Sequence, residues 1–239
     1  MSAGLQLAGV TVAYGGVRAL ASATLEVAPG SVLGLIGPNG AGKTTLINAT
    51  TGIVPLAAGS VRLNGRDLRG VAPHRIARAG IARTYQNIRL FAALDVFANL
   101  AAGAFARPGR LSAAHAQTLL ERAGIAHVPL AARAGALPYG DQRRLEIARA
   151  LAAEPSIVML DEPAAGMNPT ETAHLADTIR AIAASGIGVL LIEHDMSLVR
   201  AACDRVVVLN FGEVIAAGTP DEIVADPAVI EAYLGTESV

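Results

Sequence analysis

The stretch GPNGAGKTT, Gly37–Thr45, holds Lys43, the only lysine in a chain of 239 residues whose other eighteen basic residues are arginine. Before it runs SVLGLI (31–36), an apolar stretch that reads as a buried parallel strand. After it, TTLINATTG (44–52) has helical character and a stop at Gly52. Strand, glycine-rich loop and helix are the setting in which G-x-x-x-x-G-K-[ST] carries chemistry. The expected cradle is Gly37, Pro38, Asn39, Gly40, Ala41, Gly42, Lys43, Thr44 and Thr45. Its glycines let backbone N–H groups converge on phosphate oxygens, and the helix start adds the positive end of a dipole. A lysine ammonium is a point charge on a thin stem that fits inside such a loop, where the planar fork of an arginine does not. Thr44 is expected to put its hydroxyl on Mg²⁺, and Thr45 to reach the α-phosphate of ATP.

A second apolar strand, PSIVMLDEP (155–163), ends in two carboxylates. Asp161 at the strand end suits Mg²⁺, directly or through water, and Glu162 is placed to polarise an attacking water. Composition agrees with a globular α/β protein. Hydrophobic residues make up 52%, with 25 glycines and no tryptophan, and the net charge of −1 argues against nucleic acid as the main partner. Cys203, the one cysteine, can form no internal disulfide and reads as a small buried residue. The N-terminal stretch MSAGLQLAGVTVAYGG has no basic region followed by an apolar block, and the longest apolar runs fall far short of the roughly 18–20 residues that span a bilayer. The expectation is a soluble chain, or one that reaches a membrane through a partner.

Between the two phosphate motifs lies LPYGDQRRLEIARALAAEP (137–155), in which Gly140 opens an amphipathic helix. Leu145, Ile147, Ala148 and Leu151 share its apolar side, and Arg143, Arg144 and Arg149 are expected elsewhere. With this segment the chain resembles the ATP-binding cassette (ABC) family, and the resemblance runs through the whole sequence. It implies that Tyr139 and Gly140 belong to a signature motif that meets the γ-phosphate of ATP held by a second ATPase subunit. It further implies that Tyr14 in VAYGG stacks on adenine. Gln86 in ARTYQNIRLF would sense the γ-phosphate, touch the metal and face the membrane partner. AGMNP (165–169) would cross a dimer interface, and His194 in LLIEHDM would contact the γ-phosphate.

Several stretches narrow the resemblance. ARTYQNIRLF, YGDQRRLEIARAL, DEPAAGMNP, IEHDM and the tail GTPDEIVADPAVIEAYLG look like the ATPase subunits of branched-chain amino acid importers, and of the two ATPase types there, the LivG type. The implied partners are ATP, a second identical or related ATPase subunit, membrane permease subunits and, indirectly, a periplasmic binding protein. The implied place is the cytoplasmic face of the inner membrane, as a peripheral subunit. Importers of urea or amides are the neighbouring alternative. A soluble ABC ATPase outside transport, which usually carries two cassettes or a long coiled-coil insertion, is a further alternative, as is a nucleotide switch without hydrolysis, against which Glu162 and His194 argue and for which the unusual signature speaks.

The sequence also departs from the family pattern. Where Leu-Ser-Gly-Gly-Gln is usual, Leu137, Pro138, Tyr139, Gly140 and Asp141 stand, so the serine hydroxyl is missing and backbone donors of Tyr139 and Gly140 must serve. Asn168 stands where the interface loop usually has aspartate.

The expected fold is α/β: a RecA-like P-loop NTPase core with an antiparallel edge and an inserted helical subdomain, in one ABC ATPase domain over 1–239. The core is assigned to 1–88 and 152–239 and the helical subdomain to 89–151. SVRLNGRDL (60–68) reads as a hairpin turning at Asn64–Gly65, RPGR (107–110) as a loop tip, and SAAHAQTLLERAG (112–124) as a helix capped by Ser112. After Gln86, NIRLFAALDVFANL (87–100) is rich in large apolar residues. Val96 and Phe97 are assigned to the core. Leu90 and Phe91 are assigned to a partly exposed groove for a permease helix.

Overall fold

The computed structural model describes residues 4–106 and 109–234. Of the expected loop tip, Arg107 and Pro108 lie outside the described residues. Two sheets organise the chain. The first is antiparallel, in the order β2-β1-β4-β5, from β1 (Leu5–Tyr14), β2 (Val17–Val27), β4 (Ala58–Leu63) and β5 (Arg66–Asp67). The second has the order β10-β9-β3-β8-β7-β6. It is built from β3 (Val32–Ile36), β6 (Ile81–Arg83), β7 (Ile157–Asp161), β8 (Gly188–Ile192), β9 (Arg205–Asn210) and β10 (Glu213–Gly218). In this sheet only β10 runs antiparallel to its neighbour.

The β3, β7 and β8 strands are buried along their whole length, as strands covered on both faces must be. Their alternate residues serve two different cores. Val32, Ile36, Val158, Leu160, Val189 and Leu191 face one cluster; Leu33, Leu35, Ile157, Met159, Leu190 and Ile192 face the other. The second cluster joins the antiparallel sheet and the helix α1 (Lys43–Thr50) to the parallel sheet. The first joins it to helices on the opposite side. Asn64 and Gly65 both have positive φ, 50° and 80°, as a two-residue hairpin turn of the expected kind requires.

After α2 (Pro73–Ala79) and β6 come α3 (Val96–Gly103), α4 (Ala113–Arg122) and α5 (Tyr139–Leu151). Asp95 caps α3, and the Ser112 hydroxyl caps α4 by accepting from the His115 N–H. Leu100, Leu119, Leu120 and Leu145 from these helices lie in one apolar cluster with sheet residues such as Val158, so the helical segment is welded to the sheet by a shared core. The remaining helices are α6 (Pro169–Ala184), α7 (Met196–Ala202), α8 (Pro220–Ala225) and α9 (Pro227–Leu234). Sequence left the packing of the tail open. In the structure, Val229 and Tyr233 of α9 pack on the apolar cluster of the core. Cys203 is buried in the same cluster, and burial pushes its thiol up to about 12.

The α3 and α5 helices touch most closely at Gly103. A Cβ there would stand 2.1 Å from the Arg149 carbonyl oxygen. We expect Gly103→Ala to cost about 1–3 kcal/mol of stability through overpacking, read as a lower urea midpoint at unchanged slope. An unchanged midpoint would mean that the two helices do not meet here.

Candidate functional site

The loop after β3 can fold as it does because it lacks side chains at its crowded points. Gly37, Gly40 and Gly42 have φ of 149°, 79° and 106°. A Cβ on Gly37 would lie 2.1 Å from the Leu209 carbonyl oxygen, and one on Gly42 2.7 Å from that of Ala19. The loop is thus clamped between β9 and β2. Gly42 is also the N-cap of α1, and no side chain caps the helix. Its first amides remain as donors for an anion. Lys43 bends back over the loop, and its Nζ donates to the carbonyls of Gly37 (2.5 Å) and Pro38 (3.1 Å). Burial lowers the Lys43 pKa from its ordinary value, while the charges of Glu162 and Asp161 oppose that shift.

These residues wall a cleft of about 250 Å³ lined by Ala19, Asn39, Gly40, Ala41, Gly42, Lys43, Thr44, Thr45, Gln86 and Glu162. Seven loop residues, the glutamine and the second carboxylate therefore meet in space, although 76 residues separate Gln86 from Glu162. Gln86 donates from Nε2 to Oε2 of Glu162 at 2.8 Å. Glu162 itself has φ 47°, a conformation costly for a residue with a Cβ, and is held there by its N–H bond to the Ile192 carbonyl on β8. Asp161 ends β7 almost fully buried, with Arg83 Nη2 3.9 Å from its carboxylate. Burial raises the Asp161 pKa; Glu162 adds to this, and Arg83, Arg143 and Lys43 work against it.

Other sequence-named residues stand apart from the cleft. Tyr14 ends β1 half-exposed, Tyr139 and Gly140 open α5, and His194 follows β8 with its side chain exposed. Ala19 on β2 lines the cleft and was missed; an alanine in a strand gives no chemical signal. Glu193 was also missed. Its buried carboxylate accepts backbone N–H bonds from Ala164, His194 and Asp195, tying the turn after Glu162 to the turn that carries His194. Burial raises its pKa against those three bonds.

Arg143 requires a correction. Expected away from the apolar side of α5, it is instead among the largest fully buried side chains. Its guanidinium donates to the backbone carbonyls of Tyr85 (2.7 Å) and Gln86 and approaches Glu146 at 3.4 Å. Glu146 accepts from the Arg89 N–H (3.1 Å), and Arg149 donates to the Arg89 carbonyl. Arginines in a helix ordinarily read as a solvated face. Here the segment 85–89 lies across that face and presents its backbone to it, which no periodicity reveals. Asn168 has a local use, because its side chain caps α6 in a reciprocal capping box with Glu171. Asp141 bonds His127 at 3.2 Å.

Comparison with known proteins gives the same picture from outside. The protein-family model "ABC transporter" matches residues 20–165, and "Branched-chain amino acid ATP-binding cassette transporter" matches 213–239. The chain is 42% identical, over 97% of both chains, to the high-affinity branched-chain amino acid transport ATP-binding protein BraF of Pseudomonas aeruginosa. It is 41% identical, with the same coverage, to LivG of Escherichia coli K12, which carries the same description. Among solved structures, the ADP conformation of MJ1267, an ATP-binding cassette of an ABC transporter, superposes with a TM-score of 0.88 at 29% identity, covering 98% of this chain and all of that one.

Because burial favours the neutral amine of Lys43, a lysine-directed acylating reagent should label it at mildly alkaline pH faster than it labels a free lysine side chain. Labelling should map to Lys43 and the N-terminus alone, and Mg-ATP should protect Lys43. Equal labelling with and without nucleotide, read by mass spectrometry, would take Lys43 out of the phosphate site.

Proposed function

The chain belongs to the ABC transporter family, and on that premise we propose that it is the ATP-hydrolysing subunit of an importer for branched-chain amino acids. ATP binding and hydrolysis are the activity of the family's nucleotide-binding domain. The substrate class rests on what BraF and LivG are named for and on the match of the tail to a family of that name. Importers of urea or amides are the competing reading.

The observation that carries the chemistry is the Gln86–Glu162 hydrogen bond beside the glycine loop and Lys43. Glu162 is the group assigned to orient the attacking water. Its carboxylate accepts from Gln86, and its backbone N–H is held by the Ile192 carbonyl of β8. Lys43 is assigned to the β- and γ-phosphates, so its bonds to the Gly37 and Pro38 carbonyls must give way when ATP enters. The loop amides and the start of α1 hold the phosphates, Thr45 reaches the α-phosphate, and Tyr14 covers the base. His194 closes on the γ-phosphate, and Tyr139 and Gly140 offer backbone donors to the nucleotide of a second subunit. The oxygen donors of Thr44, Gln86 and Asp161 fit a hard cation that keeps water and phosphate oxygens as its other ligands. Mg²⁺ held there would neutralise charge building on the transferred phosphoryl group. Arg83 stands 3.9 Å from the Asp161 carboxylate and would share its charge with such a cation.

In this reading two such subunits close around two ATP molecules at the cytoplasmic face of the membrane, and hydrolysis reopens them. Among the described residues no helix is long and apolar enough to cross a membrane, so the movement must pass through contact with a permease. A cleft of about 300 Å³ beside the Gln86 segment, lined among others by Thr51, Ile53, Pro73, His74, Arg83 and Tyr85, is a fitting receptor for a permease helix. Phe91 is 53% exposed, with Asn99 bonding both its N–H and its carbonyl, and is assigned to the same docking surface. Leu90, expected alongside it, is partly buried and packs with one side against the core.

Glu162→Gln should bind ATP with near-normal affinity and lose hydrolysis by about a hundredfold or more, with a dimer accumulating in Mg-ATP. In cells carrying the chain with its permease, labelled leucine uptake should vanish in this variant. Uptake of labelled urea but not leucine in the parent would select the competing reading.

Ile53→Ser with Phe91→Ser changes two residues that are each more than half exposed. The isolated subunit should keep its unfolding temperature and its ATP affinity, since surface changes typically stay within about 0.5 kcal/mol. Co-purification with the permease and ATP-driven uptake should be lost. Intact uptake would move the docking surface elsewhere.

A further inference from the structure

The segments that carry Glu162, Gln86 and the start of α5 are joined in a closed circuit, and an aromatic ring completes it. The turn after Glu162 is tight: the Ala165 N–H bonds the Glu162 carbonyl and the Met167 N–H bonds that of Ala164. At its tip Gly166 has φ 79°, and a Cβ on it would lie 3.2 Å from Cε1 and 3.7 Å from Cζ of Tyr139. The Tyr139 ring therefore rests on the bare backbone of this turn. The Arg143 guanidinium carbon stands 5.9 Å from the centroid of the same ring. Arg143 reaches on to the carbonyls of Tyr85 and Gln86, and the Gln86 side chain returns to Glu162. Arg143 Nε is buried with no hydrogen-bond partner among the described residues. The guanidinium thus accepts an uncompensated polar cost to keep its two outer nitrogens on those carbonyls.

We propose that Tyr139 is a positioning residue: its ring is a strut between the turn 165–168 and Arg143, making the Gln86–Glu162 pair and the N-terminal end of α5 move as one body. This rests on the ATPase reading above and adds to it. Arg143, on α5 itself, ties the backbone of residues 85 and 86 to that helix with or without the ring. The ring adds the contact between the turn 165–168 and the start of α5, which is the surface offered to a second subunit. The ring is the acting part. Its hydroxyl takes no share in the contacts to Gly166 and Arg143.

The test uses the full chain, steady-state phosphate release, binding of a fluorescent ATP analogue, and hydrogen exchange. Tyr139→Ala should lower kcat about tenfold. Tyr139→Phe should recover most of that loss. Because both changes cut one circuit, Tyr139→Ala combined with Gln86→Ala should be no slower than Gln86→Ala alone, within about threefold. Amides of 85–89 should exchange faster in Tyr139→Ala and not in Tyr139→Phe, a readout that needs no turnover. Additive losses in the double variant, unchanged exchange, or a Phe variant as impaired as the Ala variant would overturn the strut; the last would give the hydroxyl a direct contact with ligand. Should Tyr139→Ala fail to fold, Tyr139→Leu takes its place in each measurement. A parent protein that releases no phosphate would overturn the ATPase reading instead, and the exchange result would still decide on the strut.

Discussion

Everything at the site depends on how closely backbone approaches backbone around the loop 37–42. The Gly37 position lies against the Leu209 carbonyl and that of Gly42 against the Ala19 carbonyl, at separations that exclude any Cβ. Gly212 in the β9–β10 turn completes the clamp by donating to the Ala41 carbonyl and accepting from the Ala21 N–H. Strands β2 and β9, from two sheets, and the β9–β10 turn thus fix the loop from outside. This rigidity keeps the amides at the start of α1, which no side chain caps, available to an anion. A loop free to relax would satisfy those donors internally and lose its attraction for phosphate.

The same economy explains the division between the two faces of the parallel sheet. One face is closed by α1 and the antiparallel sheet, which bring β2 and Ala19 to the cleft. The other face carries the helical segment and α6, which bring α5 and the turn after Glu162. Strand ends from β3, β7 and β8 deliver the loop, the carboxylates and His194 to one edge. Parallel strands do this by construction, since all their C-terminal ends point the same way.

What sequence revealed followed from how local each signal was. The glycine loop, the DE pair after a buried strand, the Asn64–Gly65 turn and the Ser112 cap each carry their meaning within a few residues. Arg143, Glu146 and Glu193 do not. Each acts on backbone groups donated by a distant segment: Arg143 on residues 57 and 58 positions away, and Glu193 on Ala164, 29 away. A charged residue is usually found in water, so a single sequence offers no reason to bury these three. Apolar residues in a run look alike, yet Leu90 is partly buried and Phe91 more than half exposed, with Asn99 bonding the backbone of Phe91.

Buried arginines also explain why the chain can do without lysine everywhere but one place. Arg83 reaches Asn48, Thr51, Tyr85 and Asp161 at once, and Arg143 spans two successive carbonyls and a carboxylate. Those tasks need a fork with several fixed donors. They hold segments in place and are never meant to let go. Lys43 has the opposite task. It rests on two carbonyls of its own loop, and an ammonium can turn from them to phosphate oxygens without rearranging a plane of donors. Arg83 and Arg143 make fixed ties of this kind, and in the proposed function the contact exchanged when nucleotide enters is the one made by lysine.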